Sequence, residues 1–88
     1  MISDAISVPA DTILECDICI IGGGPAGISI TREMIRSSKK IIQLESGGWK
    51  ESSWSRDLLR GFISPSGSHE PLEENRRRQF GGASVACP

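Results

Sequence analysis

The sequence predicts an α/β fold built around one strand–helix–strand unit with parallel strands. Two short apolar runs, residues 16–21 and 41–45, flank a helix-like segment at residues 25–37. The glycine-rich turn GGGPAG, residues 22–27, leads from the first run directly into that segment. A strand, a tight turn, a helix and a second strand in this order are typical of a parallel sheet with a crossover helix.

The first strand is expected at residues 16–21, and Ile13 and Leu14 are expected to join or extend it. The run does not alternate between apolar and polar residues, as a strand with one exposed face would. We therefore expect both faces of this strand to be covered. Asp17 interrupts the run near its start, where the end of a strand can be exposed.

Cys16 and Cys19 form a C-x-x-C pair within the first predicted strand. Redox pairs of this spacing usually lie at the start of a helix, and a zinc site needs a second pair of ligands. Positions three apart on a strand point to opposite faces. With Cys87 the count is three, and an odd number argues against a disulfide framework. We expect small buried side chains and no metal site.

Each of four residues in the glycine-rich turn has a separate physical role. Gly22 permits the sharp turn out of the strand, and Gly24 lets the backbone approach a pyrophosphate closely. Pro25 suits the first helical position, where its missing N–H costs nothing. Gly27 falls in the middle of the apolar arc of the predicted helix, where a side chain would push the helix away from the sheet.

Glu45 closes the second predicted strand, residues 41–45. A carboxylate at this place can accept hydrogen bonds from both ribose hydroxyls of an adenosine, and it repels a 2′-phosphate. The free amides of the first helical turn, with the positive end of the helix dipole, would face the phosphates. The pattern therefore predicts a Rossmann-like unit at residues 16–45 that binds FAD or NAD rather than NADP.

The rest of the chain divides into three segments by composition. Residues 1–15 are expected to be a loose lead-in, and residues 46–75 a loop excursion with few apolar side chains. Within the excursion, residues 55–63 have enough apolar side chains for a short helix, although Gly61 weakens that expectation. In residues 76–88, arginines suited to phosphates precede paired glycines that let backbone amides approach an anion or a flat ring.

Length and charge exclude several classes of protein. The 88 residues have room for one small domain, and 10 basic against 11 acidic residues leave no signature of nucleic-acid binding. No apolar run approaches the length of a membrane span, so we expect no membrane segment. The first 15 residues lack the basic start and apolar core of a secretory signal, which makes a cytoplasmic location the default expectation.

Three motifs together resemble the beginning of the glucose–methanol–choline (GMC) oxidoreductases. They are GGGPAG after the first strand, ESGG after the second, and R-x-R-x-F-G-G-x-S at residues 76–84. Members of this family are FAD-dependent enzymes that oxidise alcohols, sugars or related hydroxyl compounds. The resemblance runs from about Cys16 to Ser84, which is most of the chain.

The resemblance implies a set of cofactor-binding residues. The turn would cradle the FAD pyrophosphate, Glu45 would hold the adenosine ribose, and the later segment would lie near the pyrophosphate and the flavin. The full set is Gly22, Gly23, Gly24, Pro25, Ala26, Gly27, Glu45, Ser46, Arg78, Gly81, Gly82 and Ser84. The family usually continues with polar or aromatic residues after this motif, whereas the sequence here reads VACP. It has no His there for covalent flavin attachment.

The family's catalytic His and substrate domain come later than any residue of this chain, so no catalytic residue is assigned here. We therefore expect an amino-terminal fragment or truncated product with an incomplete doubly wound parallel sheet. The parent would act on CH–OH groups of an alcohol or sugar, and the chain alone is expected to be inactive and marginally stable. Two alternatives stay open: a fragment of an NAD(P)H-using reductase or hydroxylase, and a nucleotide-binding module without catalysis.

Overall fold

The computed structural model describes residues 1–86, and Cys87 and Pro88 lie outside the described residues. The fold is mixed α/β, with a small parallel sheet and short helices. Its strands are β1 (Ile18–Ile21) and β2 (Ile41–Leu44), and its helices are α1 (Pro25–Met34), α2 (Ser53–Asp57) and α3 (Leu72–Asn75). Two 3₁₀ turns, Ala5–Ser7 and Gly82–Ala86, lie near the ends of the chain.

The two strands pair in parallel, with Ile18 opposite Ile41 and Ile21 opposite Leu44. Helix α1 lies between them in the chain, so the predicted strand–helix–strand order and the parallel pairing are confirmed. At the start of β1, the Asp17 carboxylate accepts a hydrogen bond of 2.7 Å from the Lys40 amide. The Asp17 amide donates to the Lys40 carbonyl at 2.9 Å. These two bonds fasten the connection into β2 to the beginning of β1.

Helix α1 begins at Pro25, as the sequence predicts, and ends at Met34 rather than at residue 37. The difference arises at Ser37, whose amide and hydroxyl both donate to the Met34 carbonyl, at 2.9 and 2.7 Å. A serine hydroxyl bonded to a nearby carbonyl competes with the helical pattern. The helix therefore closes in a turn about one turn earlier than its apolar periodicity indicates.

The sheet is covered on one face only within residues 1–86. Ile20 is the buried hydrophobic residue there, 9 % exposed, and it lies opposite Gln43, whose side chain contacts α1. The next residue, Ile21, points to the other face and is 87 % exposed. The expectation that both faces are covered is wrong for this part of the chain, because no described element packs on the second face. Cys19 is exposed for the same reason, and Cys16 is only half-buried, so the expected burial of both cysteines is also wrong.

The excursion after β2 contains two short helices, of which α2 is held by a local cap. Ser52 and Ser55 form a reciprocal capping box, with both amide–hydroxyl distances at 3.1 Å, which fixes the start of α2. The helix expected at residues 55–63 therefore begins earlier and ends at Asp57, before the leucines. Arg56 of α2 forms an ion pair with Glu74 of α3. No helix in residues 1–86 is long and apolar enough to cross a membrane.

Candidate functional site

The glycine turn passes directly under the start of α1. Gly22 has a φ of 111°, in the region that side chains disfavour, and its amide donates to the Leu44 carbonyl at 2.7 Å. A Cβ at Gly27 would collide with the Gly22 carbonyl oxygen. The absence of a side chain at Gly27 is therefore what lets the helix lie against the turn, as its place in the apolar arc predicts.

Gln43 joins strand, turn and helix, and the sequence did not single it out. Its Nε2 donates to the Gly22 carbonyl at 2.9 Å, and its Oε1 accepts from the Thr31 hydroxyl of α1 at 2.8 Å. Both bonds are partly buried. The signal in the sequence was a polar residue inside the apolar run IIQL, since a polar side chain on a covered face needs partners.

The space outside Gly24 is open. A Cβ at this position would have no neighbouring heavy atom within 4 Å, and the backbone has an ordinary φ of −79°. Gly24 is the N-cap of α1, and no side chain caps this ten-residue helix. Amides in the first turn of a helix have no intrahelical acceptor, and the helix dipole favours negative charge there. The turn therefore offers an anion both donors and room.

Glu45 lies beside the turn with both carboxylate oxygens bonded to backbone amides. Oε2 accepts from the Gly23 amide at 2.6 Å, and Oε1 accepts from the Gly47 amide at 2.7 Å. The carboxylate is half-buried, and each oxygen has two acceptor sites. Glu45 thus keeps capacity for a ligand hydroxyl while it is tied to the turn.

Residues 78–82, far along the chain, lie against both the glycine turn and the loop after β2. The Gly81 amide donates to the Gly23 carbonyl at 2.7 Å. A Cβ on Gly82 would lie 3.0 Å from the Gly24 Cα. The Phe80 amide donates to the Gly48 carbonyl at 2.9 Å. A Cβ on Gly47 would likewise collide with the Arg78 carbonyl. Gly47 and Gly82 therefore permit close contact between backbones, a use that the sequence did not predict.

Arg78 lies at the end of β2 rather than at the glycine turn. One terminal nitrogen of its guanidinium donates to the Ser46 hydroxyl at 2.8 Å. Its Nε is buried and has no hydrogen-bond partner in residues 1–86. Ser84 is exposed, and its hydroxyl donates to the Gly81 carbonyl at 2.6 Å. Of the predicted later residues, Gly81 and Gly82 thus contact the glycine turn. Arg78 instead contacts Ser46, next to Glu45, and these two residues form a polar surface beside the turn.

An open cleft of about 340 Å³ lies next to Ser46 and Arg78. It is lined by Glu45, Ser46, Leu59, Asn75, Arg76, Arg77, Arg78 and Ala83. Arg77 also pairs with Glu51 at 3.3 Å. The lining carries three arginines against one carboxylate, and this excess of positive charge suits an anionic ligand.

One aromatic residue of the excursion, Trp49, contacts the later segment. The rings of Trp49 and Phe80 meet edge to face, with centroids 5.2 Å apart and an interplanar angle of 61°. This contact joins the loop that carries Trp49 to the segment that carries Phe80. Trp54 and His69 are exposed, and the ring Nδ1 of His69 lies 2.6 Å from the adjacent Glu70 carbonyl oxygen. Neither residue lines the cleft.

No family model, curated protein or solved structure matches this chain. The functional interpretation therefore depends on the geometry of the turn and its neighbours. That geometry joins helix amides, an open glycine, a carboxylate and a positively charged cleft along one edge of the parallel sheet. Such a set can bind a phosphate group together with a nearby hydroxyl-bearing group.

Proposed function

We propose that the chain binds the ADP moiety of FAD, with the pyrophosphate at the glycine turn and the adenosine ribose at Glu45. One observation carries the proposal: the open face of Gly24 lies at an uncapped helix start, beside the Glu45 carboxylate at the end of the neighbouring strand. In parallel α/β proteins, this is where dinucleotides bind. The unit is then Rossmann-like, with only its first two strands among residues 1–86.

The residues fit an adenine dinucleotide in charge and in shape. Amides at the start of α1 suit the pyrophosphate. Glu45 Oε1 accepts from the Gly47 amide and the Ser46 hydroxyl, so the remaining acceptor site on Oε2 suits a ribose hydroxyl. Gly81 and Gly82 contact the turn through their backbones, so the turn is held without side chains filling its open face. Arg78 and Ser46 extend the polar surface toward the ribose.

We propose further that the protein to which these residues belong is an FAD-dependent oxidoreductase that acts on CH–OH groups of alcohols or sugars. The combination of GGGPAG, ESGG and R-x-R-x-F-G-G-x-S in the sequence supports this proposal. When FAD is bound, the chemistry that it supplies is acceptance of a hydride from the carbon that carries the hydroxyl. The described residues bind and orient the nucleotide half of the cofactor, and none is assigned a catalytic step.

The test is a fluorescence titration of FAD with the chain and its Gly24→Val variant. A Cβ at Gly24 meets no protein atom, so the substitution should leave the fold intact while its branched side chain fills the space assigned to the pyrophosphate. We expect saturable binding by the unsubstituted chain, weaker than about 1 μM, and none by the variant.

Ser29→Val is the matched control, because Ser29 is an exposed residue of the same helix. It should bind FAD as the unsubstituted chain does. Helicity of both variants is compared by circular dichroism in the cold with sucrose, which strengthens folding. Equal FAD affinity in Gly24→Val and the unsubstituted chain would show that the nucleotide does not lie at the turn.

A further inference from the structure

We infer that Glu45 is a positioning residue for the glycine turn, in addition to its assigned contact with ribose. Gly23 is buried, and both its amide and its carbonyl form hydrogen bonds. Its amide donates to Glu45 Oε2 at 2.6 Å, and its carbonyl accepts from the Gly81 amide at 2.7 Å. Glu45 and Gly81 thus hold the middle of the turn from two sides.

The same carboxylate also holds the loop that follows β2. Its Oε1 accepts from the Gly47 amide at 2.7 Å, and Gly47 lies so close to residue 78 that a Cβ there would collide with the Arg78 carbonyl. One side chain therefore bridges the turn and the loop on which residues 78–82 rest. Hydrogen bonds from amides to a charged carboxylate are about twice as strong as neutral ones.

A titration with inorganic pyrophosphate distinguishes the positioning role from ribose binding, because pyrophosphate has no ribose. If Glu45 only contacts ribose, Glu45→Gln should raise pyrophosphate affinity, because it removes a negative charge near an anion. If Glu45 positions the turn, affinity should fall, because the Gln side chain has one acceptor oxygen for two amides. We expect a fall of about fivefold, the equivalent of one lost hydrogen bond.

Glu33→Gln is the matched control for the pyrophosphate titration. Glu33 is exposed on α1, and the change removes the same charge. It should leave pyrophosphate affinity unchanged or slightly higher. An unchanged or higher affinity in Glu45→Gln as well would overturn the positioning role.

Hydrogen exchange of backbone amides provides a test without any ligand. The Gly23 and Gly47 amides should be protected in the unsubstituted chain, less so in Glu45→Gln, and least in Glu45→Ala, while the Ile28 amide of α1 keeps its protection. Unprotected Gly23 in the unsubstituted chain, or loss of protection throughout α1 in both variants, would contradict the inference.

The pyrophosphate arm rests on the proposed function, whereas the exchange arm does not. If the chain binds neither FAD nor pyrophosphate, the proposed function fails, and the inference is still decided by the exchange of Gly23. If FAD binds but exchange at Gly23 is the same in all variants, the inference alone fails.

Discussion

At the scale of single residues, the glycines of this chain act mainly through what their missing side chains allow. Gly27 admits the turn beneath α1, and Gly24 leaves open the space assigned to a ligand. The sequence predicted both, because their spacing relative to strand and helix specifies a geometry. It could not predict that Glu45 bonds Gly23 and Gly47, since that depends on how two loops close around one carboxylate.

Gly27→Ala should destabilise the chain even though alanine is the better helix former. The gain in helix propensity is about 1 kcal/mol. The added Cβ collides with the Gly22 carbonyl, and overpacking of this kind costs roughly 1–3 kcal/mol. We expect a lower urea midpoint by circular dichroism. Ser29→Ala, at an exposed position of the same helix, is the control and should raise the midpoint; a parallel rise in Gly27→Ala would refute the close packing.

Glu45→Gln should weaken FAD binding by about 1–2 kcal/mol, on the order of tenfold. The change keeps the shape of the side chain but removes its charge-assisted bonds to ribose and to the turn. Titration calorimetry measures the effect, with Glu33→Gln as the charge-matched control. Equal FAD affinity in Glu45→Gln and the unsubstituted chain would mean that Glu45 is not the ribose acceptor.

At the scale of elements, the type and order of the helices and strands were predicted better than the residues at which they begin and end. The parallel strand–helix–strand unit follows from two apolar runs and a glycine turn, and the structure contains it. The ends of α1 and α2 were missed because serine side chains set them: Ser37 closes one helix, and the Ser52–Ser55 box starts the other. Short polar side chains bond locally, and such bonds leave little trace in hydrophobic periodicity.

Gln43→Ala tests how β2, the turn and α1 are joined. It removes the side-chain donor to Gly22 and the acceptor for Thr31, both partly buried, so we expect a loss of about 1–3 kcal/mol in unfolding free energy. Thr31→Val is the matched variant, because it removes only the second bond and should cost less. Urea unfolding compares the two; equal stability of Gln43→Ala and the unsubstituted chain would show that the bridge contributes nothing.

At the scale of the whole molecule, the chain buries little apolar surface for its size. It exposes 7291 Å², where a folded monomer of this mass exposes about 5,000 Å². Its radius of gyration is 15.5 Å, against about 12 Å for a compact domain of this length. Ile21 and Ile35 are 87 % and 76 % exposed. These exposures agree with the expectation that one helix and two strands bury too little to offset the cost of ordering.

The chain by itself should therefore melt broadly, with a midpoint below about 45 °C, the lower end of the range for ordinary domains. It should also show no alcohol-dependent reduction of a dye in the presence of FAD, because no described residue is assigned a catalytic step. Circular dichroism and a dye assay measure these two properties. A sharp cooperative transition at a higher temperature would refute the first expectation, and dye reduction above background would refute the second.

The most direct test of the proposed nucleotide site is a titration of the isotopically labelled chain with ADP, followed by amide chemical shifts in the cold with sucrose. We expect saturable shifts concentrated at residues 22–27, 45–48 and 81–82, with little change in α2 or α3. The same titration of Gly24→Val should leave those amides unmoved. Shifts concentrated around Arg56 and Glu74, or no saturable shift at the turn, would contradict the assignment of the glycine turn as the nucleotide site.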